Sequence, residues 1–356
     1  MMVVSEQLQI FFDFLRFCIG SDSEIPSSLK EADWKELYAI AQKQCLVGVL
    51  FDGIKKLPAE YVGMKKELLL QWMAESQMLE KANVRLNDAA IQVSEWFRKK
   101  GFRTCILKGQ GNALMYPNPY SRTPGDIDIW VEGGDKRVIS FVRSISPHEK
   151  ACYHHIEFPS YKGVEVEVHY RPSFLLCFWH DRKLQKYYER VKEEQFSHRV
   201  MLGEQGEIAI PTVEFNLIFQ LTHIYAHLMN EGIGLRQLLD YYYVLISDDL
   251  LLIRDRVQKE LKELGLWKFA GAIMYIMQEV FGMPASRLIV PPNEKYGRFV
   301  LNEVLEAGNF GKHDERNRFG RSKLGHNLQR VYRDMRLVRY FPAEALSEPI
   351  FRTWHF

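Results

Sequence analysis

The chain has 356 residues, of which 47% are hydrophobic and 26% charged, with a formal net charge of +2. That is enough for a sizeable core and, by length, for two or three domains, and the charge balance neither demands nor excludes a nucleic-acid partner. The cysteines Cys18, Cys45, Cys105, Cys152 and Cys177 lie scattered with no Cys-x-x-Cys pair, which excludes a zinc knuckle or a redox pair of that spacing and suits reduced thiols. No apolar run approaches the roughly 20 residues of a membrane-spanning helix.

The first stretch is partly apolar, but Glu6, Asp13 and Arg16 interrupt it and no basic segment precedes it. It reads as an amphipathic helix rather than a signal peptide, and the expected location is the cytoplasm. Asp33 and Glu36 make a helix-start signal resembling a capping box, after which Trp34, Leu37, Ile40, Ala41 and Cys45 recur at helical spacing. A longer periodic stretch covers about 65–100. It ends in Lys99 and Lys100, which suit the negative end of the helix dipole, and then Gly101, a helix-terminating glycine.

The pattern then changes. Residues 103–107 read as a short strand, and 126–131 and 164–169 alternate strictly between polar and apolar positions, with 153–158 a further, weaker strand. Short helices fit at 110–115 and after Gly134. From Pro211 the chain is again helical: Thr212 is an N-cap for a helix to about 230, Gly232 and Gly234 break it, and a second helix spans about 235–246. Helical patterns continue over about 250–281 and 327–339. The expected fold is α+β: an N-terminal helical region (1–100), a small mixed-sheet core (101–210) and a C-terminal helical domain (211–356).

The segment Gly125-Asp126-Ile127-Asp128-Ile129-Trp130 carries the most chemistry. Residues two apart on a strand share a face, so Asp126 and Asp128 project side by side while Ile127 and Ile129 point to the core. Two carboxylates so close repel unless a cation lies between them, and Mg²⁺ (or Mn²⁺) prefers such oxygens while keeping positions open for phosphates. On the second strand Glu165, Glu167 and His169 share one face. If that strand pairs beside the first, a glutamate completes a three-carboxylate cluster able to hold two metals. Taken alone, either pair also fits the solvated face of a half-exposed sheet.

Upstream lies Leu107-Lys108-Gly109-Gln110-Gly111-Asn112-Ala113-Leu114-Met115-Tyr116, followed by Arg122 and the Asp-Ile-Asp strand. This resembles the DNA-polymerase-β-like nucleotidyltransferase superfamily, and in particular a large bacterial branch with the pattern Leu-Lys-Gly, Leu-x-Tyr, Arg, Asp-Ile-Asp. Glu167-Val168-His169 is similar to that branch's acidic-hydrophobic-His strand, and Arg236 to Asp240 to its Arg-x-Leu-Leu-Asp element. The resemblance implies a nucleotidyltransferase core in which Asp126, Asp128 and Glu167, with Glu165 in reserve, are metal ligands and catalytic. Gly109 would admit the triphosphate, and the helix after it would offer N–H groups to phosphate. Lys108 and Arg122 would contact phosphate, and Gln110, His169, Arg236 and Asp240 would belong to the nucleotide site. Where most of the superfamily has Gly-Ser or Gly-Gly, this chain has Gly109-Gln110-Gly111.

His223 and His227 stand four apart on one helix face, but no third or fourth zinc ligand is evident; they either line the cleft beside the α/β unit or cap its core. Arg236 and Asp240 are spaced for an i,i+4 ion pair. His154 and His155 read as structural or rim residues, and Cys105 as buried. Residues 312–339 hold nine Lys or Arg, and Leu324, Leu328, Val331, Met335 and Val338 could form the apolar side of a basic helix. A solvated helix packed on the core is favoured there over a nucleic-acid contact. Tyr340, Phe341, Trp354 and Phe356 read as a tail docked on the body.

The expected activity is transfer of a nucleoside monophosphate from an NTP to an unidentified acceptor (a small molecule, saccharide or protein) with release of pyrophosphate. The alternatives are a catalytically degenerate nucleotide-binding module on the same fold, or a protein-interaction module such as an antitoxin-like partner.

Overall fold

The computed structural model describes residues 5–204, 206–314, 316 and 323–355. Three short helices open the chain: α1 (Glu6–Ile19), α2 (Trp34–Lys43) and α3 (Val47–Ile54). Ser5 caps α1 by accepting from the Leu8 N–H, and Asp33 caps α2 by accepting from Lys35 and Glu36. The periodicity expected to run through Cys45 stops at Lys43, because Cys45 takes a left-handed conformation (φ 56°) and turns the chain into α3.

Next, α4 (Lys66–Lys99) spans 34 residues, roughly 50 Å at the helical rise, and ends at Gly101 with φ 82°. Trp72, in its first half, belongs to the helical core. Its second half lays Ala89, Ala90, Val93 and Phe97 against the sheet. The α/β unit then follows as β1 (Thr104–Ile106), α5 (Gln110–Ala113), β2 (Ile127–Val131), α6 (Gly134–Ile145), β3 (His155–Tyr161) and β4 (Val164–His169). The strands form one mixed sheet in the order β1-β2-β4-β3, with β2 and β4 parallel and the other pairs antiparallel. Ile127, Ile129, Val166, Val168 and Ile156 pack on one face with α4 and α6.

After the sheet comes α7 (Phe178–Ser197), a 20-residue helix with no counterpart in the sequence reading, and then a hairpin of β5 (Arg199–Met201) and β6 (Glu207–Ala209). Charged residues crowd α7 and leave a thin apolar stripe of Leu184, Tyr187, Tyr188 and Phe196, which hides its periodicity. Thr212 caps α8 (Val213–Asn230), and α9 (Leu235–Leu245) follows the glycine break. The expected helix over 250–281 is two, α10 (Leu250–Glu263) and α11 (Trp267–Glu279), parted at Gly265 (φ 72°). Finally come α12 (Glu294–Ala307), α13 (Lys323–Leu337) and α14 (Pro342–His355).

One continuous apolar cluster joins α1 and α3 to α8, α9 and α11, so the helices before and after the sheet share a core. Helix α13 differs from the expected packing: Leu328, Val331 and Met335 face outward, while Leu337 is buried. The basic segment is partly consumed internally, Arg316 and Arg336 both pairing with Glu303 at 2.9 and 3.1 Å. Arg318, Arg321 and Phe356, and the side chains of Lys323, Leu324 and Trp354, lie outside the described residues. All five cysteines are unpaired, and no described helix is long and apolar enough to cross a membrane.

Candidate active site

Strand register decides what the second sheet face carries. Asp128 on β2 lies directly beside Glu167 on β4, and His169 on β4 lies opposite His155 on β3. Because side chains alternate, Asp126, Asp128, Glu167, His169 and His155 all emerge on the face turned away from the apolar core. Carboxylate oxygens of Asp126, Asp128 and Glu167 come within 4.8 Å of one another. Glu165, the reserve candidate, is exposed and stands outside this group.

Two cations serve the cluster. Lys108, at the end of β1, places Nζ 2.9 Å from Asp128 Oδ1, and His169 Nε2 lies 3.0 Å from the same oxygen and 3.4 Å from Glu167 Oε2. Burial opposes charge on Asp128, yet Lys108 and His169 outweigh it and hold this carboxyl well below its ordinary range. Burial likewise opposes charge on His169, but hydrogen bonds to Asp128 and Glu167 raise it to about 9. Asp126 is left out of these bonds: the neighbouring Asp128 charge, then burial, push it up to about 6. Three carboxylates thus meet two cations, and this all-oxygen donor set fits a hard divalent ion such as Mg²⁺.

Gly109 links β1 to α5 with φ 55° and ψ −107°, a conformation that glycine alone adopts readily. It places the backbone beside Asp126, a Cβ there lying 3.7 Å from the Asp126 carbonyl oxygen. The following helix is a single turn of four residues, so its dipole is small. Gln110 departs from expectation: its side chain is buried and donates to Asn87 of α4, turned away from the cleft. His169 too sits behind Asp128 rather than on the cleft surface.

The cleft opens to solvent, floored by Lys108, Gly109, Asp126 and Asp128 and walled by α8 and α9. The expected Arg236–Asp240 pair is not formed. Asp240 is held instead by Arg122, whose Nε and Nη2 donate to its two oxygens at 2.8 Å each, and by the Tyr116 hydroxyl at 2.7 Å. Arg122 is therefore a buried strut tying the loop before β2 to α9, although it also borders the cleft. Arg236 donates to the Thr123 carbonyl at 3.0 Å, and its Nε, although buried, has no partner. The loop that carries Arg122 is fixed from behind: Asn83 of α4 donates to the carbonyls of Tyr120 and Arg122 at 2.9 and 2.8 Å.

His223 lines the cleft and accepts from Lys108 at 3.1 Å, while His227 lies edge-on to it (ring centroids 4.2 Å apart) and pairs with Glu231 at 3.4 Å. Burial, then the Lys108 charge, keep His223 well below its usual pKa and therefore neutral. Residues not anticipated from the sequence include Asn112, Gln220 and Phe310. Gln220 stands one turn before His223 on the same helix face, a signal that the His-x-x-x-His spacing overshadowed; it donates to Asn112 at 3.1 Å. Phe310, left-handed at φ 53°, lies 5.8 Å over the Arg236 guanidinium and carries no motif.

The uncharacterised nucleotidyltransferase family model matches residues 30–282, and the chain belongs to that family. Phe310 lies beyond the matched stretch. A crystal structure of an antigenic nucleotidyltransferase-like protein from Paracoccidioides brasiliensis aligns at 14% identity with 54% of this chain and 94% of its own, at a TM-score of 0.29. No curated protein matches the sequence.

Proposed function

We propose that the chain is a metal-dependent nucleotidyltransferase that moves a nucleoside monophosphate from an NTP to an acceptor, releasing pyrophosphate. The observation that carries this reading is the convergence of Asp126, Asp128 and Glu167 beside the Gly109 turn. Charge bookkeeping supports it. The cleft floor is one cation short, with three carboxylates against Lys108 and His169, whereas the wall carries Arg122 and Arg236 against Asp240 alone. A divalent ion would answer the surplus negative charge of the floor, and a phosphate oxygen the surplus positive charge of the wall.

In this reading Asp126, Asp128 and Glu167 hold the ion, which when bound activates an attacking oxygen and stabilises the departing pyrophosphate. Gly109 lets the triphosphate approach the backbone, and Arg236, which lines the cleft, would add positive charge beside the phosphates. Lys108 positions Asp128 and passes its remaining donors to His223 and the cleft. Burial of the floor strengthens each of these interactions relative to water. The acceptor, a small molecule, saccharide or protein, would enter along α8 and α9.

A second reading, a nucleotide-binding module without turnover, is favoured by Gln110: no side chain at that position of the turn reaches toward the phosphates. Thermal unfolding with each of the four NTPs, with and without Mg²⁺, tests the proposal, and pyrophosphate release separates the two readings. A ligand at about 100 times its dissociation constant adds roughly 2.7 kcal/mol. The expected result is a Mg²⁺-dependent shift with at least one NTP that disappears in Asp126→Asn. A well-folded wild type showing no shift with any NTP sinks both readings.

A further inference from the structure

Beside the carboxylate floor lies a second group of donor atoms with different chemistry. His155 Nδ1 stands 3.3 Å from Glu167 Oε2, His169 Nε2 stands 3.4 Å from that same oxygen, and His169 Nε2 stands 3.0 Å from Asp128 Oδ1. Donor atoms of His155, Glu167 and His169 lie within 4.8 Å of one another, as do those of Asp126, Asp128 and Glu167, so Glu167 belongs to both groups.

We propose that His155, Glu167 and His169 form a transition-metal site adjoining the Asp126–Asp128–Glu167 position, with Glu167 bridging the two. Several features point there. The 3.3 and 3.4 Å contacts are long, weak hydrogen bonds, beyond the usual N–H···O range of about 2.7–3.2 Å. For metal–ligand bonds of about 2.0–2.2 Å, a tetrahedral ion spaces its ligand atoms roughly 3.3–3.6 Å apart, which matches the two distances to Glu167 Oε2. The rings are also set as metal-binding rings are. His169 Nδ1 lies on the Arg171 carbonyl side, at a long 3.4 Å, so Nε2 is the nitrogen that faces Glu167 and Asp128. His154 packs edge-on against His155 with ring centroids 4.4 Å apart, and its Nε2 stands 3.1 Å from His155 Nδ1, a hydrogen bond that a bound ion would replace. His155 and Glu167 keep side-chain exposures of 18% and 33%, enough for an ion to enter from solvent.

Two imidazole nitrogens with a carboxylate select Zn²⁺, Mn²⁺, Fe²⁺ or Co²⁺ over Mg²⁺, whereas the neighbouring all-carboxylate position suits Mg²⁺. On binding, the ion replaces the proton that His169 shares with Asp128 and Glu167, and that proton leaves to solvent. The proposal deepens the metal-dependent reading and rests on it only for the first ion; the site itself stands on the sheet-face geometry.

Co²⁺ is the probe, because its visible absorption reports ligand type and coordination number. The full chain is stripped with chelator and titrated with Co²⁺ in a large excess of Mg²⁺ and without nucleotide. One Co²⁺ per chain is expected, with the absorption of a four- or five-coordinate site. Asp126→Asn should retain it, and His155→Asn should weaken it at least about tenfold while melting cooperatively; His169→Gln should behave as His155→Asn does. The proposal is overturned if folded wild type takes up no Co²⁺, if Mg²⁺ displaces it one for one, or if His155→Asn binds it as wild type does. Co²⁺ retained without any NTP-dependent melting shift would support this site and count against the nucleotide reading.

Discussion

The Arg122–Asp240 pair and the Asp126–Asp128–Glu167 cluster lie across one cleft and bury charge in opposite ways. At the pair every formal charge is answered. Asp240 takes both guanidinium arms and a tyrosine hydroxyl, and its carboxyl is held below its ordinary range because Arg122 outweighs the burial that opposes ionisation. At the cluster the account is left open, and Asp126 is pushed up to about 6 by its neighbour Asp128. Closed burial fixes a helix to a loop; open burial leaves carboxylate charge without a full set of partners. The difference lies in partners rather than residue type, since Asp128 and Asp240 are both buried aspartates on regular elements.

The largest expected effect breaks the closed side. Asp240→Ala leaves Arg122 buried without a counter-charge and should cost about 3–5 kcal/mol, measured by urea denaturation. The paired change Arg122→Met with Asp240→Leu should recover most of that loss, because matched apolar side chains often replace a buried ion pair at little cost. If the single variant is as stable as wild type, the strut is not what holds α9 to the core.

The open side should respond with the opposite sign. In chelator, Asp126→Asn relieves repulsion and should raise stability on the order of 1 kcal/mol. With Mg²⁺ and the NTP that shifts wild type, the same variant should forgo the roughly 2.7 kcal/mol gain expected at about 100 times the dissociation constant. A variant destabilised in chelator would show Asp126 to be structural and would remove the contrast.

How much of this was legible in the sequence differs between the two sides. The open cluster announces itself locally: strict alternation in β2 and β4 puts Asp126, Asp128 and Glu167 on one face, and only the β2–β4 register was needed to choose Glu167 over Glu165. The closed pair does not, because Arg122 meets Asp240 across 118 residues, while the i,i+4 spacing offered Arg236 as the nearer partner. Gln110 misled in a similar way: its place after Gly109 suggests a phosphate contact, but the four-residue turn directs it to Asn87. Helix α7 was hidden by its charge, and Phe310 by belonging to an irregular turn with no periodicity. Local patterns carried the elements and the floor of the site; long-range pairing, which built its wall, left no local trace.

A smaller effect probes the hinge between the two sides. Gly109→Ala places a Cβ in ordinary contact with the Asp126 carbonyl oxygen, so its cost is backbone strain at φ 55° rather than a clash. About 1–3 kcal/mol is expected from melting, with weakened NTP binding as α5 shifts. Unchanged stability would show that the turn relaxes to an ordinary conformation and is not fixed by its neighbours.

The smallest effect is a slope. Because the folded-state pKa of Asp240 lies below its ordinary 3.8, its contribution is complete where the carboxyl is ionised in both folded and unfolded chains, above about pH 5. As pH falls, the unfolded chain binds the proton first, so stability declines from near the ordinary value down to the folded one and by at most about 1.4 kcal/mol per pH unit. Asp240→Asn carries no such proton. Its stability curve should start lower at neutral pH and be flatter on the acid side than that of wild type, as read by urea midpoints between pH 5 and 3. Parallel acid limbs would mean that Asp240 titrates alike in both states, and the Arg122 pair would then be no better closed than the cluster opposite it.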